Sequence, residues 1–153
     1  MSKSMSMGLQ VRQATAADLP NVLALYAQPA MDNGHVLTIA QAKQLFSQFS
    51  RYPNYRLFVA CANDVIVGTF ALLVMHNLAH QGTPSAIVED VVVSEAHQSQ
   101  GIGQDMMHHA MALAREAGCY KLVLSSNQKR ERAHAFYESL GFQRHGFSFS
   151  IEI

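Results

Sequence analysis

Val91-Val92-Val93-Ser94-Glu95-Ala96-His97-Gln98-Ser99-Gln100-Gly101-Ile102-Gly103-Gln104 is the stretch that most narrows what this chain can fold into. Consecutive valines predict a strand buried on both faces. The glycine-bearing turn after them leads straight into Met106, Met107, Ala110, Met111, Ala114 and Ala117, which keep helical spacing to a stop at Gly118. A buried strand that feeds a helix through a tight turn belongs inside an α/β sheet. Free backbone N–H groups and the positive end of the helix dipole meet at such a turn, and glycines let an anion come close. The turn therefore suits a phosphate or pyrophosphate. On Gly101 and Gly103 alone, a plain strand-to-helix loop fits equally well. Other phosphate loops fit worse: there is no Gly-Lys-Ser/Thr for a P-loop, and Gly-x-Gly-x-x-Met lacks the third glycine of the dinucleotide fingerprint.

The elements around this unit follow from periodicity and punctuation. Leu9 to Ala14 alternates and predicts a first strand. Leu19, Val22, Leu23 and Tyr26 predict a helix over Ala16 to Gln28, with Thr15 as its N-cap, Pro20 in its first turn and Pro29 as its stop. Ile39, Ala42, Leu45, Phe46 and Phe49 predict a second over Thr38 to Ser50, and Met31-Asp32-Asn33-Gly34 between them reads as a mobile loop. Asn63-Asp64 joins strands Arg56 to Ala62 and Val65 to His76 as a hairpin. Beyond the strand Ala86 to Ser94 and the long helix, the pattern predicts a strand over Lys121 to Ser125 and a helix over Lys129 to Leu140, stopped at Gly141. A strand pair, Phe142 to His145 and Phe147 to Ile153, ends the chain. The order predicts an α/β fold with a single mixed, mostly antiparallel twisted sheet flanked by helices. Residues 1–8 read as a disordered N-terminal tail and 9–153 as one domain.

Composition restricts the function classes. A chain of 153 residues, 49% of them hydrophobic, buries a core without disulfides or metals. Eleven Lys plus Arg balance 11 Asp plus Glu, so there is no basic excess to favour nucleic acid or a membrane surface as partner. Cys61 and Cys119 cannot build a disulfide framework or a four-ligand zinc site. The apolar run Ile66 to Met75 is broken by Gly68 and Thr69 and falls short of the ~20 residues of a membrane span. Met1 to Gly8 lacks the apolar core of a signal peptide. The expectation is a cytoplasmic protein.

Gln98-x-x-Gly101-x-Gly103 after a valine-rich strand resembles the acyl-CoA-binding motif of the GCN5-related N-acetyltransferase (GNAT) superfamily. Asn127 … Ala133-x-x-Phe136-Tyr137-x-x-x-Gly141-Phe142 resembles its second motif, at the matching separation. Val88 to Val93 and Gly118-Cys119-Tyr120-Lys121 are similar to the glucosamine-6-phosphate N-acetyltransferases. Ser126-Asn127-x-Lys129-Arg130 and the Phe-rich C-terminus are similar to the aminoalkylphosphonate acetyltransferases. Two positions depart from the pattern: Gln98 stands where Arg is common and Ser99 where Gly is common.

The resemblance implies the GNAT acyl-CoA N-acyltransferase fold over 9–153 and acetyl-CoA as cosubstrate without a metal. It implies acetyl transfer to the primary amine of a small molecule, such as an amino-sugar phosphate or aminophosphonate, by direct attack in a ternary complex. The cofactor contacts it implies are Val91, Val92, Val93, Gln98, Ser99, Gln100, Gly101, Ile102, Gly103, Gln104, Asn127, Ala133 and Phe136. Tyr137 falls where the superfamily's proton donor to the leaving thiolate stands, and its ordinary pKa near 10 suits that role. By spacing alone, Tyr137 is a core aromatic beside Phe136.

Glu89 lies in an apolar strand, where a carboxylate is costly unless paired or functional. It is the candidate to take the ammonium proton directly or through water, and the Asp90 carbonyl the candidate to hold the amine. Strand alternation lets only one of these two side chains face the substrate, and Glu89 is the expected one. Lys129, Arg130 and Arg132 crowd a predicted first helical turn, where the dipole disfavours cations. Lys129 and Arg130 are therefore candidates for an anionic group of the substrate or CoA, with a solvated face as the alternative. His76 and His80 read as strand end and loop, not as a metal pair. Two other functions are compatible with the chain, a protein or peptide N-acetyltransferase and a non-catalytic acyl-CoA-sensing module. The Phe- and Ile-rich segment Phe147 to Ile153 offers an edge for a homodimer.

Overall fold

The computed structural model describes residues 9–153; the tail expected over 1–8 lies outside the described residues. The chain divides into two compact units, one ending at Val123 and one formed by Leu124–Ile153.

The first unit is built on a five-stranded sheet, β1 (Leu9–Gln13), β2 (Tyr55–Ala62), β3 (Val65–Met75), β4 (Ser85–Val93) and β5 (Leu122–Val123), paired in that order. The pairs are antiparallel except β4–β5, which is parallel, so the sheet is mixed and mostly antiparallel as expected. The hairpin between β2 and β3 turns on Asn63 (φ 49°) and Asp64 (φ 67°). Both are left-handed, which matches the twist of the flanking strands.

Helix α1 (Leu19–Tyr26) follows a 3₁₀ turn at Ala16–Asp18, and α2 (Ile39–Phe49) is capped by Thr38, whose hydroxyl accepts from the Gln41 N–H at 3.1 Å. Leu19, Val22 and Leu23 of α1 and Ala42 of α2 pack with Leu57, Val59 and Cys61 of β2 and Ala71 of β3. These alternate strand positions define one sheet face. The opposite face carries Phe58 and Phe70, stacked at 5.1 Å, and receives α3 (Ile102–Glu116) through the buried Met106, Met107 and Ala110. A Cβ built on Gly68 would lie 2.5 Å from the Met106 sulfur, so this glycine sets how closely α3 approaches the sheet. No helix among the described residues is long and apolar enough to cross a membrane.

The second unit contains α4 (Glu131–Ser139), stopped at Gly141 with φ 97°. It corrects the expectation of two terminal strands: residues 142–153 form no ladder. Phe147, Phe149 and Ile151 are 92%, 92% and 83% exposed. Alternation predicts which side chains share a face; it does not supply the partner strand a ladder needs.

One ion pair ties β1 to the start of α1. The Arg12 guanidinium donates to both Asp18 carboxylate oxygens, at 2.7 and 2.9 Å, and the Thr15 N–H donates to Asp18 at 2.8 Å. The hydrogen bonds from Arg12, foremost, hold the buried Asp18 at a pKa of about 2, below the ordinary 3.8. Its stabilisation is complete above the unfolded value and lost as pH falls toward about 2. Asp18→Ala should remove about 2 kcal/mol at neutral pH, lowering Tm by roughly 4–8 °C. Acid melting curves should show the gap between wild type and variant closing below about pH 3.8.

Candidate active site

The centre of the site is an irregularity in β4. Opposite β3 the register runs Thr69↔Val92 and then Ala71↔Glu89, so two steps on β3 face three on β4. The extra residue is accommodated at Asp90, whose φ is +54°. This is a bulge with a left-handed residue, a conformation that L side chains adopt at a cost and that glycine usually fills. On its other edge β4 pairs with β5 only through Ala86↔Leu122 and Ile87↔Val123. Among the described residues, no strand of the sheet pairs with that edge from Val88 to Val93. The backbone there can receive an extended, amide-bearing ligand as it would receive a strand.

The turn beyond β4 completes this track. Ser94 is followed by a 3₁₀ turn, Glu95–His97, then by exposed Gln98, Ser99 (φ 65°) and Gln100. Gly101 is the N-cap of α3 with φ 81°, and its carbonyl accepts the Asp105 N–H at 3.0 Å. The N–H groups of Ile102, Gly103 and Gln104 precede that first bond, as at any helix start, and face outward for an anion. A Cβ added to Gly101 would meet nothing within 4 Å, so the space an anion needs is open. The residues thus fit a pyrophosphate on the turn and an amide arm along β4. Ile102 is buried and anchors the turn.

Glu89 pairs with Ala71 and therefore lies on the sheet face covered by α1 and α2. The bulge breaks the alternation on which the choice between Glu89 and Asp90 rested: the charges of both raise the pKa of Tyr55, after burial as the first cause. Burial and then the charge of Asp90 push Tyr26 up. Asp90 itself is raised by burial and by the charge of Asp32. Tyr26, Asp32 and Tyr55 thus join Glu89 and Asp90 around one anionic, tyrosine-lined region. Sequence reasoning missed these three because the only signal for them was a loop and two aromatic positions. The Met31-Asp32-Asn33-Gly34 segment, expected to be mobile, is a hydrogen-bonded turn in which Asp32 N–H donates to the Tyr26 carbonyl at 2.8 Å.

In the second unit Tyr137 packs at 5.2 Å from Phe136 and 5.8 Å from Phe142. Burial raises its pKa against the opposing charge of Arg130, so its hydroxyl stays protonated at neutral pH. Helix α4 begins at Glu131, with Arg130 as N-cap and Lys129 before it. This corrects the expected three cations in the first turn: only Arg132 is there, beside Glu131. The reason is Asn127, whose side-chain oxygen accepts the Lys129 N–H at 2.9 Å and whose carbonyl accepts that of Arg130 at 3.0 Å. This local turn displaces the helix start. Lys129, Arg130 and Asn127 are exposed, Ala133 and Phe136 half-buried. Among the described residues no group of three or more His, Cys, Asp or Glu is placed to hold a metal.

Comparison with known proteins agrees with this geometry. The model of the Acetyltransferase (GNAT) family matches residues 21–142, and the chain belongs to that family of acyltransferases. It is 29% identical to the aminoalkylphosphonate N-acetyltransferase of Salmonella typhimurium over 141 residues, covering 92% of this chain and 89% of that protein. It is 34% identical to the glucosamine 6-phosphate N-acetyltransferase of Trypanosoma brucei brucei over 80 residues, which span 52% of each protein. A putative acetyltransferase from Agrobacterium tumefaciens superposes with a TM-score of 0.88 at 35% identity, over 94% of this chain and 99% of that one.

The turn makes two substitutions informative. Gly101→Val imposes a β-branched side chain on φ 81° and fills the open anion space, so calorimetry should find CoA affinity reduced at least 100-fold with the fold retained. Ser99→Gly relieves a left-handed residue and should bind CoA at least as tightly as wild type. Unchanged affinity in Gly101→Val would remove this turn from the cofactor site.

Proposed function

We propose that this chain transfers an acetyl group from acetyl-CoA to the primary amine of a small molecule, by direct attack without an acyl-enzyme. The observation that carries this reading is the uncovered edge of β4, released by the bulge at Asp90 and ending at the glycine-led start of α3. Backbone groups of Val91 to Val93 hold the acyl arm and polarise the thioester carbonyl, a preorganised role that needs no motion at the moment of reaction. The N–H groups of residues 99–104, with the helix dipole, hold the pyrophosphate. The amine arrives as an ammonium ion. Glu89, directly or through water, takes its proton, and the Asp90 carbonyl holds the nitrogen for attack. As the C–N bond forms and the C–S bond breaks, Tyr137 supplies a proton to the departing thiolate, and the second proton lost by the nitrogen passes through water to restore the Tyr137 hydroxyl.

Tyr137→Phe keeps the ring packing and removes that proton. The maximal rate should fall by roughly 10²–10⁴-fold with CoA affinity nearly unchanged. Wild-type turnover in the variant would return Tyr137 to a packing role.

The names of the two relatives point to amines that also carry a phosphate or phosphonate. Lys129 and Arg130 are exposed cations suited to that anion. A screen for CoA release should therefore favour amino-sugar phosphates and aminophosphonates over neutral amines of the same shape. Arg130→Ala should raise the KM of the anionic amine roughly 10- to 100-fold and leave the neutral amine nearly unaffected. Equal effects on both would assign Arg130 to CoA or to solvent.

The exposed row Phe147, Phe149, Ile151 and Ile153 supports a homodimer in which a second copy covers it. Light scattering should show Phe147→Lys/Phe149→Lys as a monomer where the wild type is a dimer. The two free thiols, Cys61 buried and Cys119 kept protonated by burial, suit a reducing, cytoplasmic setting.

A further inference from the structure

We propose that Gln28 is a positioning residue that fixes the end of β4 against the start of the cofactor turn and ties both to the loop on the amine side. Its side-chain Nε2 donates to the Val93 carbonyl at 3.3 Å, and its Oε1 accepts the Glu95 N–H at 2.7 Å. Val93 is the last residue of β4 and Glu95 the first of the following 3₁₀ turn, so one amide spans the junction where strand becomes turn. The carbonyl of the same residue accepts the N–H groups of Met31 at 3.0 Å and Asn33 at 3.1 Å, closing the loop that carries Asp32. Asp32 is the residue whose charge reaches Asp90. Gln28 therefore sits between the three parts of the site that must keep register: the acyl track, the anion turn and the amine side.

The side chain has to be a glutamine for stereochemical reasons. The junction presents one acceptor and one donor, and a neutral amide supplies the complementary donor and acceptor in a single plane. The reverse amide orientation would set N–H against N–H at Glu95. Ionised Glu has no donor, Lys no acceptor, and Asn falls one methylene short. Without the bridge, the turn is anchored to the sheet side by the Ser94 N–H on the Val67 carbonyl at 2.8 Å. That bond and the pairing of Val93 with Gly68 hold the strand end to β3, so without Gln28 it is the path from Glu95 to Gly101 that loses its side-chain tie to the acyl track. A cofactor gripped at both ends senses a shift of that path as lost affinity, while the groups that move protons stay in place.

This inference rests on the acyl-CoA reading of the turn, and calorimetry with CoA separates the two. Gln28→Met keeps the length and removes both side-chain hydrogen bonds. It should raise the CoA Kd roughly 10-fold and the acetyl-CoA KM in parallel, with saturated kcat within about 3-fold of wild type and Tm within a few degrees. Gln28→Glu keeps the acceptor but sets an ionised oxygen against the Val93 carbonyl, and should weaken CoA at least as much. Wild-type CoA affinity in either folded variant, or a loss of kcat with KM unchanged, would overturn the positioning role. A wild-type chain that binds no CoA would instead overturn the reading of the turn itself.

Discussion

An extra residue in β4 is the constraint on which the rest of the site depends. At Ala86 and Ile87 the strand is held on both sides, by β3 and by the short β5. At Asp90 the chain takes a left-handed turn of φ +54°, and only β3 follows it to Val93. The sheet gives up cross-strand hydrogen bonds on that edge and places an acidic side chain where glycine would be easier. Strained, unpaired backbone persists when the surrounding structure over-determines it, and here the surroundings do so. Thr69, fully buried beside the bulge, donates to the Phe58 carbonyl at 2.7 Å, and stacked Phe58 and Phe70 lock β2 to β3 underneath. The bulge is thus carried on a fully buried, hydrogen-bonded part of the sheet.

Electrostatics on the α1–α2 side of the bulge follow from the same residue. Burial of its carboxyl, foremost, and the charge of Asp32 disfavour the ionised state of Asp90. Two tyrosine hydroxyls, Tyr26 and Tyr55, are held protonated around them by burial and by these charges. An incoming ammonium would relieve the repulsion between the carboxylates, and a deprotonated amine would not. On the proposed reading, the region attracts the ammonium form of the amine and has carboxylates at hand to take its proton. The opposite charge preference holds at the start of α3, where backbone N–H groups and the dipole favour anions. On that reading the site is polarised, negative toward the proposed amine side and positive toward the proposed place of the cofactor's phosphates.

How much of this was legible in the sequence depends on how local the determinant is. The valine run, the glycine turn and the α3 stripe were readable because period and turn chemistry are set within a few residues. The same holds for the Asn63-Asp64 hairpin and the Gly118 and Gly141 stops, whose left-handed residues appear where expected. The bulge was not readable: Asp90 carries no glycine signature, and its conformation is imposed by pairing with β3. The start of α4 shifted because Asn127 offers its side chain to the Lys129 backbone, a competition that helical periodicity does not register. The terminal segment alternates as a strand should, and 142–153 nevertheless forms no ladder. Tyr26, Asp32 and Tyr55 meet Asp90 from three separate stretches of chain, a convergence that no single window could show.

The central claim, that the bulged edge of β4 and the Gly101 turn form one continuous cofactor track, is tested most directly by a crystal structure of the chain with CoA. The account predicts the pantetheine amides hydrogen-bonded to β4 backbone between Val91 and Val93, with the pyrophosphate on the N–H groups of residues 99–104. A pyrophosphate seated elsewhere, or a β4 edge left unoccupied beside bound CoA, would contradict it.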